Sequence, residues 1–208
     1  MATFRVAVLI SGAGTNLQAL LDQLHQPGGP IEIVGVGSSR PDAGGLRRAE
    51  AAGVESAVFA LAEHGNRDIR DSALGDWLES LEVDLVVLAG FMELLTEGFI
   101  GRFAGRIVNV HPSLLPSFPG LQAIERAVEH GVKVTGVTVH FVDEGVDTGA
   151  IVLQEALELS YPARIAAIEE RIHGVEHRLL PRAIRLIAEG RVSPDPDNPR
   201  AVRIDDGG

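Results

Sequence analysis

The sequence predicts an α/β protein: a mostly parallel twisted sheet with helices on both faces and an antiparallel C-terminal extension. Two patterns carry this. Through the first half, strand-like apolar runs alternate with amphipathic stretches, and a βαβα series of that kind builds a parallel sheet covered by helices. The early runs, such as Phe4–Ile10, are apolar almost throughout, as strands buried on both faces are. From residue 132 onward the runs alternate apolar with polar instead, which marks strands that pair antiparallel with one face covered.

Taken in order, Phe4–Ile10 is the first strand and Ser11–Gly14 a glycine-rich turn. Thr15–His25 reads as a helix because Leu17, Leu20, Leu21 and Leu24 recur at three- and four-residue spacing. Ile31–Gly37 is a second strand, Ala43–Ala52 a helix ended by Gly53, and Ser56–Phe59 a short strand. Asp68–Leu81 is a helix with Trp77 and Leu78 on its apolar face, followed by strand Asp84–Ala89, a short helix over Thr96–Phe103 and strand Arg106–Val110. Gly120–His130 is a helix closed by Gly131, and Val132–Val142 and Ala150–Leu159 are alternating strands able to pair. Ala163–Ile187 is helical, with Pro181 expected to break or kink it. Three prolines in the polar stretch from Val192 predict a loosely held tail over 193–208.

The 208 residues suit one domain, taken as 1–192, and 45% apolar content supplies a core. The chain lacks cysteine, which excludes disulfides and thiolate metal sites and suits a cytoplasmic home. A net charge of −11 argues against a nucleic-acid partner. No apolar run is long enough for a membrane span. Small anions remain open, since a few oriented backbone N–H groups hold a phosphate without net positive charge.

Three stretches carry chemistry. "SGAGTN" (Ser11–Asn16) lets the backbone approach a ligand where a helix starts. It lacks the third glycine of a dinucleotide loop and the Gly-Lys-Ser/Thr ending of a nucleoside-triphosphate loop, so it fits a single phosphate or a plain turn capped by Thr15. "NVHPSLLPSFPG" (Asn109–Gly120) ends a strand with an amide and an imidazole two residues apart, which face the same way, and then stiffens the exit with prolines. An amide donor and an imidazole at the carboxyl end of a strand suit a developing oxyanion in acyl or formyl transfer. "HFVDEGVDTGA" (His140–Ala150) holds three acids. It matches no calcium loop, and its Asp-Thr-Gly triplet has no second copy of the kind an aspartic protease needs. His140, on the alternating strand, reads as a hydrogen-bonded structural histidine. In "HGVEH" (His173–His177) the order differs from a zinc motif and Gly174 weakens the helix, so no metal is assigned. Glu176 there either binds an ammonium or is simply exposed.

Together "VLISGAGTNLQALL", "DLVVLAGFMELL", "GRIVNVHPSLLPSFPGLQAI", "GVTVHFVDEGVDTGAIVLQ" and "RIHGVEHRLLP" run in order from residue 8 to 181. They resemble the phosphoribosylglycinamide formyltransferase family, the folate-dependent glycinamide ribonucleotide transformylases of purine synthesis. The resemblance implies a Rossmann-like formyltransferase fold, with a phosphate-binding half of about 1–105 and a folate and catalytic half of about 106–192. It implies small-molecule substrates, glycinamide ribonucleotide and 10-formyltetrahydrofolate, no metal, and a monomer or homodimer. It makes Asn109, His111 and Asp147 the catalytic trio. Gly14, Thr15 and Asn16 match the loop for the ribonucleotide phosphate, and Glu176, with His173 beside it, the contact to the glycinamide part. Arg67 matches the residue meeting the glutamate tail of the folate. Met92, Glu93, Leu94 and Leu95, and the Asp143–Asp147 loop, match segments around the pterin, where Asn109 and Asp147 also face the co-substrate. Glu93 stands where a basic residue is familiar, and His173 replaces a more usual polar residue.

Overall fold

The computed structural model describes residues 2–198 and 200–205. The chain forms two compact units, residues 1–108 and 109–208. A seven-stranded sheet has the order β3-β2-β1-β4-β5-β6-β7, and a separate two-stranded sheet pairs β8 with β9.

In the first unit, β1 (Phe4–Ile10) lies between β2 (Ile31–Ser38) and β4 (Leu85–Leu88) and pairs parallel with both. Strand β3 (Ser56–Val58) adds to β2, again parallel. Residues Val6–Ile10 are at most 1% exposed, as the unbroken apolar run requires. Helices α1 (Thr15–Gln23), α2 (Gly44–Ala51), α4 (Arg67–Ser80) and α5 (Glu97–Arg102) follow the strands. A short helix α3 (Leu61–His64) lies in a segment where the sequence signals no element. Its single turn is too short for a helical period to show. Gly35 on β2 lets α4 sit close. A Cβ there would lie 2.5 Å from Leu81 and 2.9 Å from the Trp77 ring. The half-buried Trp77 indole donates to Glu55 Oε1 at 2.9 Å, so its polar tip is satisfied.

In the second unit, β6 (Val134–Phe141) pairs antiparallel with β7 (Ile151–Glu158), with a register shift between Val139 and His140. Helix α6 (Ala123–Glu129) packs on α7 (Ile165–Ala188), which packs on β6 and β7. Helix α7 runs without a break through Pro181, where a break or kink was expected. The proline removes one intrahelical bond. Its neighbours Leu179, Leu180, Ala183 and Ile184 are at most 3% exposed, and that buried stripe offsets the lost bond. The sequence also suggests a loosely held tail from 193. Instead β8 (Val192–Pro194) and β9 (Val202–Ile204) pair antiparallel, and Asp195 accepts from Arg203 Nε at 2.7 Å. Pro199 and residues 206–208 of that expectation lie outside the described residues. Strand β5 (Ile107–His111) carries the Asn109–His111 pair at its carboxyl end.

Candidate active site

On β5 the extended backbone turns Asn109 and His111 the same way. Asn109 is half-buried and His111 only 5% exposed. The loop after β6 brings Asp147 to both. Its carboxylate is a hub. Oδ2 accepts the Gly120 backbone N–H at 2.7 Å and lies 3.3 Å from His111 Nδ1. Oδ1 accepts from Asn109 Nδ2 at 3.3 Å and lies 3.5 Å from His140 Nε2. Asp147 holds this place with a left-handed backbone, φ 55°, a conformation aspartate tolerates better than most residues. Burial by itself pushes the Asp147 pKa up. The bond from His140, the Gly120 N–H and the imidazole charges outweigh it and bring the value down to about 2.

The histidine tautomers follow from the acceptors. His140 Nδ1 donates to the Phe141 carbonyl at 2.8 Å, and its Nε2 lies 3.2 Å from Asn109 Nδ2 and 3.5 Å from Asp147 Oδ1. His140 is therefore hydrogen-bonded, as expected, yet it sits inside the cluster and not apart from it. Nothing in its alternating strand distinguishes it from a structural histidine. The Asn109 amide nitrogen thus donates to Asp147 and faces His140 Nε2. His111 Nε2 donates to the Phe118 carbonyl at 2.9 Å while Nδ1 faces the Asp147 carboxylate. Two acceptors on one ring are both satisfied only by the cation. Burial opposes this and lowers the His111 pKa, with Asp147 and Phe118 pulling it up. The proline-stiffened exit is tied down by Thr138. Its hydroxyl accepts from the Leu115 N–H at 3.1 Å and donates to the Ser113 carbonyl at 2.7 Å. Leu115 O takes the Gln154 amide at 2.9 Å.

On α7, the nearly buried Glu176 carboxylate takes His173 Nδ1 at 2.9 Å. That bond raises the His173 pKa, with burial opposing it. The ring is half exposed and stacks over His177 at 6.2 Å. Asp143, at the rim of the 141–150 loop, accepts from Thr148 Oγ1 at 2.6 Å and from the Gly145 N–H at 3.1 Å.

The first unit holds the other candidates. Gly14, not Thr15, is the N-cap of α1, in the left-handed region at φ 73°. A Cβ on it would lie 2.6 Å from the Cα of Gly45. Glycine therefore serves twice here, for the turn and for the close approach of α2. Thr15 and Asn16 open α1, where the first-turn N–H groups and the helix dipole favour an anion. Residues Ser11–Ala13, Arg40, Asp42 and Gly44 line a concavity of about 240 Å³, with Arg40 and Asp42 paired at 2.8 Å. Sequence reasoning passed over Arg40 and Asp42, which belong to no recognisable motif. Arg67 is exposed in the first turn of α4. Met92 and Leu94 are 67% and 60% exposed in the 91–96 loop, and Glu93 pairs with Arg70 at 3.2 Å. Among the described residues no helix is long and apolar enough to cross a membrane.

The sequence model of the formyl transferase family matches residues 4–184. The chain is 47% identical over 188 residues to phosphoribosylglycinamide formyltransferase of Haemophilus influenzae, covering 90% of this chain and 89% of that one. It is 46% identical over 188 residues to the trifunctional purine biosynthetic protein adenosine-3 of Homo sapiens, covering 90% of this chain but only 19% of that protein. The solved glycinamide ribonucleotide transformylase 1 from Symbiobacterium toebii superposes with a TM-score of 0.93 at 48% identity, covering 98% and 95% of the two chains. A formyltetrahydrofolate deformylase from Pseudomonas syringae gives 0.89 at 25% identity, covering 99% of this chain and 67% of that one.

Proposed function

We propose a formyl-transfer reaction for this chain, on the premise that the chain belongs to the formyl transferase family. The substrates are the amine of glycinamide ribonucleotide and the formyl group of 10-formyltetrahydrofolate. The products are formylglycinamide ribonucleotide and tetrahydrofolate, made in the cytoplasm for purine synthesis. Relatives that bear the name of this activity support the substrates. The observation that carries the chemistry is the Asp147 carboxylate in contact with both Asn109 and His111.

The attacking nitrogen forms a bond to the formyl carbon, and the C=O electron pair moves onto oxygen. Asn109 turns one amide hydrogen from its resting acceptor to that oxyanion; such bonds commonly tighten only when the substrate is bound. The His111 cation stabilises the same charge. At rest its ring nitrogens face the Phe118 carbonyl and the Asp147 carboxylate, and like the Asn109 amide it turns a hydrogen to the oxyanion when substrate is bound. Asp147, with its pKa brought down to about 2, is a weak base. It draws the His111 pKa up against burial, favouring the cation, and orients the water that carries the proton from the attacking nitrogen to the folate nitrogen. Collapse then breaks the bond between the formyl carbon and that nitrogen. One oxyanion donor is worth roughly 3–4 kcal/mol. In the first unit, Gly14, Thr15 and Asn16 hold the phosphate of the ribonucleotide, and the 91–95 loop takes the pterin. On α7, Glu176 binds the amine-bearing end.

Likeness to a deformylase keeps a second reading in play, release of the formyl group to water. Ultraviolet monitoring of tetrahydrofolate release separates the two. Release that depends on glycinamide ribonucleotide supports transfer; equal release without it refutes transfer in favour of hydrolysis.

A further inference from the structure

Arg70 is the largest fully buried side chain of the described residues, at 0% exposure. Its guanidinium makes contacts on three sides. Nε donates to Asp71 Oδ1 at 2.7 Å, Nη1 pairs with Glu93 Oε2 at 3.2 Å, and Nη2 donates to the Leu94 carbonyl at 2.9 Å. The Phe91 ring lies 5.9 Å from its carbon centre. Asp71 completes the arrangement, because its Oδ2 takes the Thr96 N–H at 2.7 Å. One buried ion pair on α4 thus grips the 91–96 loop at Phe91, Glu93, Leu94 and Thr96. The loop's other anchor is the Ser11 hydroxyl, which accepts from the Met92 N–H at 2.8 Å.

A buried ion pair is a poor source of net stability, since desolvation offsets the attraction. What it supplies is a single geometry, through a planar fork that lysine cannot reproduce. The gripped loop contains no strand or helix until α5, and it holds Met92 and Leu94 out in water at 67% and 60% exposure. A rigid loop presenting two large apolar side chains is preorganised for a flat apolar ligand.

We infer that Arg70 is a positioning residue for the formyl-folate co-substrate, acting by fixing the 91–96 loop through Asp71, Glu93 and the Leu94 carbonyl. This rests on the reading of that loop as the pterin site. Arg70→Met removes the grip without adding bulk. The expected result is a tenfold or larger rise in KM for 10-formyltetrahydrofolate, with kcat and the KM for glycinamide ribonucleotide within threefold of the parent. Arg70→Lys restores the charge but not the fork and falls between them. A loss confined to kcat, or an unchanged folate KM, overturns the inference. Hydrogen exchange on the ligand-free protein reads the grip without any turnover. The Thr96 amide loses protection in Arg70→Met, and unchanged protection overturns the inference. If Arg70→Met fails to fold, Arg70→Lys carries the same two readings, a raised folate KM at unchanged kcat and a less protected Thr96 amide; parent values for both overturn the inference. A parent protein with no folate turnover overturns the pterin reading itself, and the exchange data then decide the grip alone.

Discussion

Replacing Asp147 with asparagine removes one charge and almost no volume. Asparagine is also among the few residues at ease with φ 55°, so the backbone stays and the electrostatics change. The carboxylate is only 13% exposed, and its pKa is brought from 3.8 to about 2 by the bonds and charges that outweigh burial. A carboxylate with a depressed native pKa stabilises the fold above its unfolded pKa and loses that contribution as pH falls toward the native value. The shift corresponds to about 2 kcal/mol at neutral pH. Asp147→Asn should therefore lower the melting temperature by roughly 4–8 °C at pH 7 for a chain of this size, and the difference should shrink between pH 4 and pH 2. Turnover should fall on the order of 100-fold or more, because the His111 cation loses the anion that holds it. Thermal melts across that acid range and initial-rate assays check both parts. A variant with near-normal turnover, or a melting difference that does not change between pH 4 and pH 2, refutes the reasoning.

Asn109→Ala should fold yet lose roughly 100- to 1000-fold in turnover; rates within a few fold of the parent would remove the amide from the mechanism. The His111 ring should titrate below an ordinary imidazole because of burial, and Asp147→Asn should move it lower still, since the carboxylate raises it. An upward move in an NMR titration contradicts the assigned ion pair. Gly14→Ala combines a left-handed backbone with a Cβ 2.6 Å from the Gly45 Cα. It should cost about 1–3 kcal/mol in denaturant unfolding and weaken ribonucleotide binding; an unchanged midpoint would show that α2 gives way freely.

The alternating elements of the first half were legible because buried parallel strands demand unbroken apolar runs, and Phe4–Ile10 can hardly be read otherwise. Asn109 and His111 were legible as a pair for an equally local reason: side chains two apart on a strand share a face. The motifs also carried the family. The grouping of Asp147 with that pair came only by resemblance, since 36 residues separate it from His111 in the chain. His140 was read as a hydrogen-bonded histidine, and it is one; its place beside Asp147 left no local sign, because that depends on which atoms the β6–β7 turn brings to its Nε2. Arg70 drew no notice at all. A lone arginine in a polar helix looks like solvent-facing charge until packing buries it.

What this chain's sequence determines alone is whatever backbone periodicity and side-chain alternation enforce: the strands, most helices, and the paired polar ends of β5. What tertiary structure decides is electrostatic. The state of His111, the acidity of Asp147 and the grip of Arg70 arise from charges and acceptors drawn together out of water, and Coulomb interactions between residues distant in sequence leave no periodic trace in it.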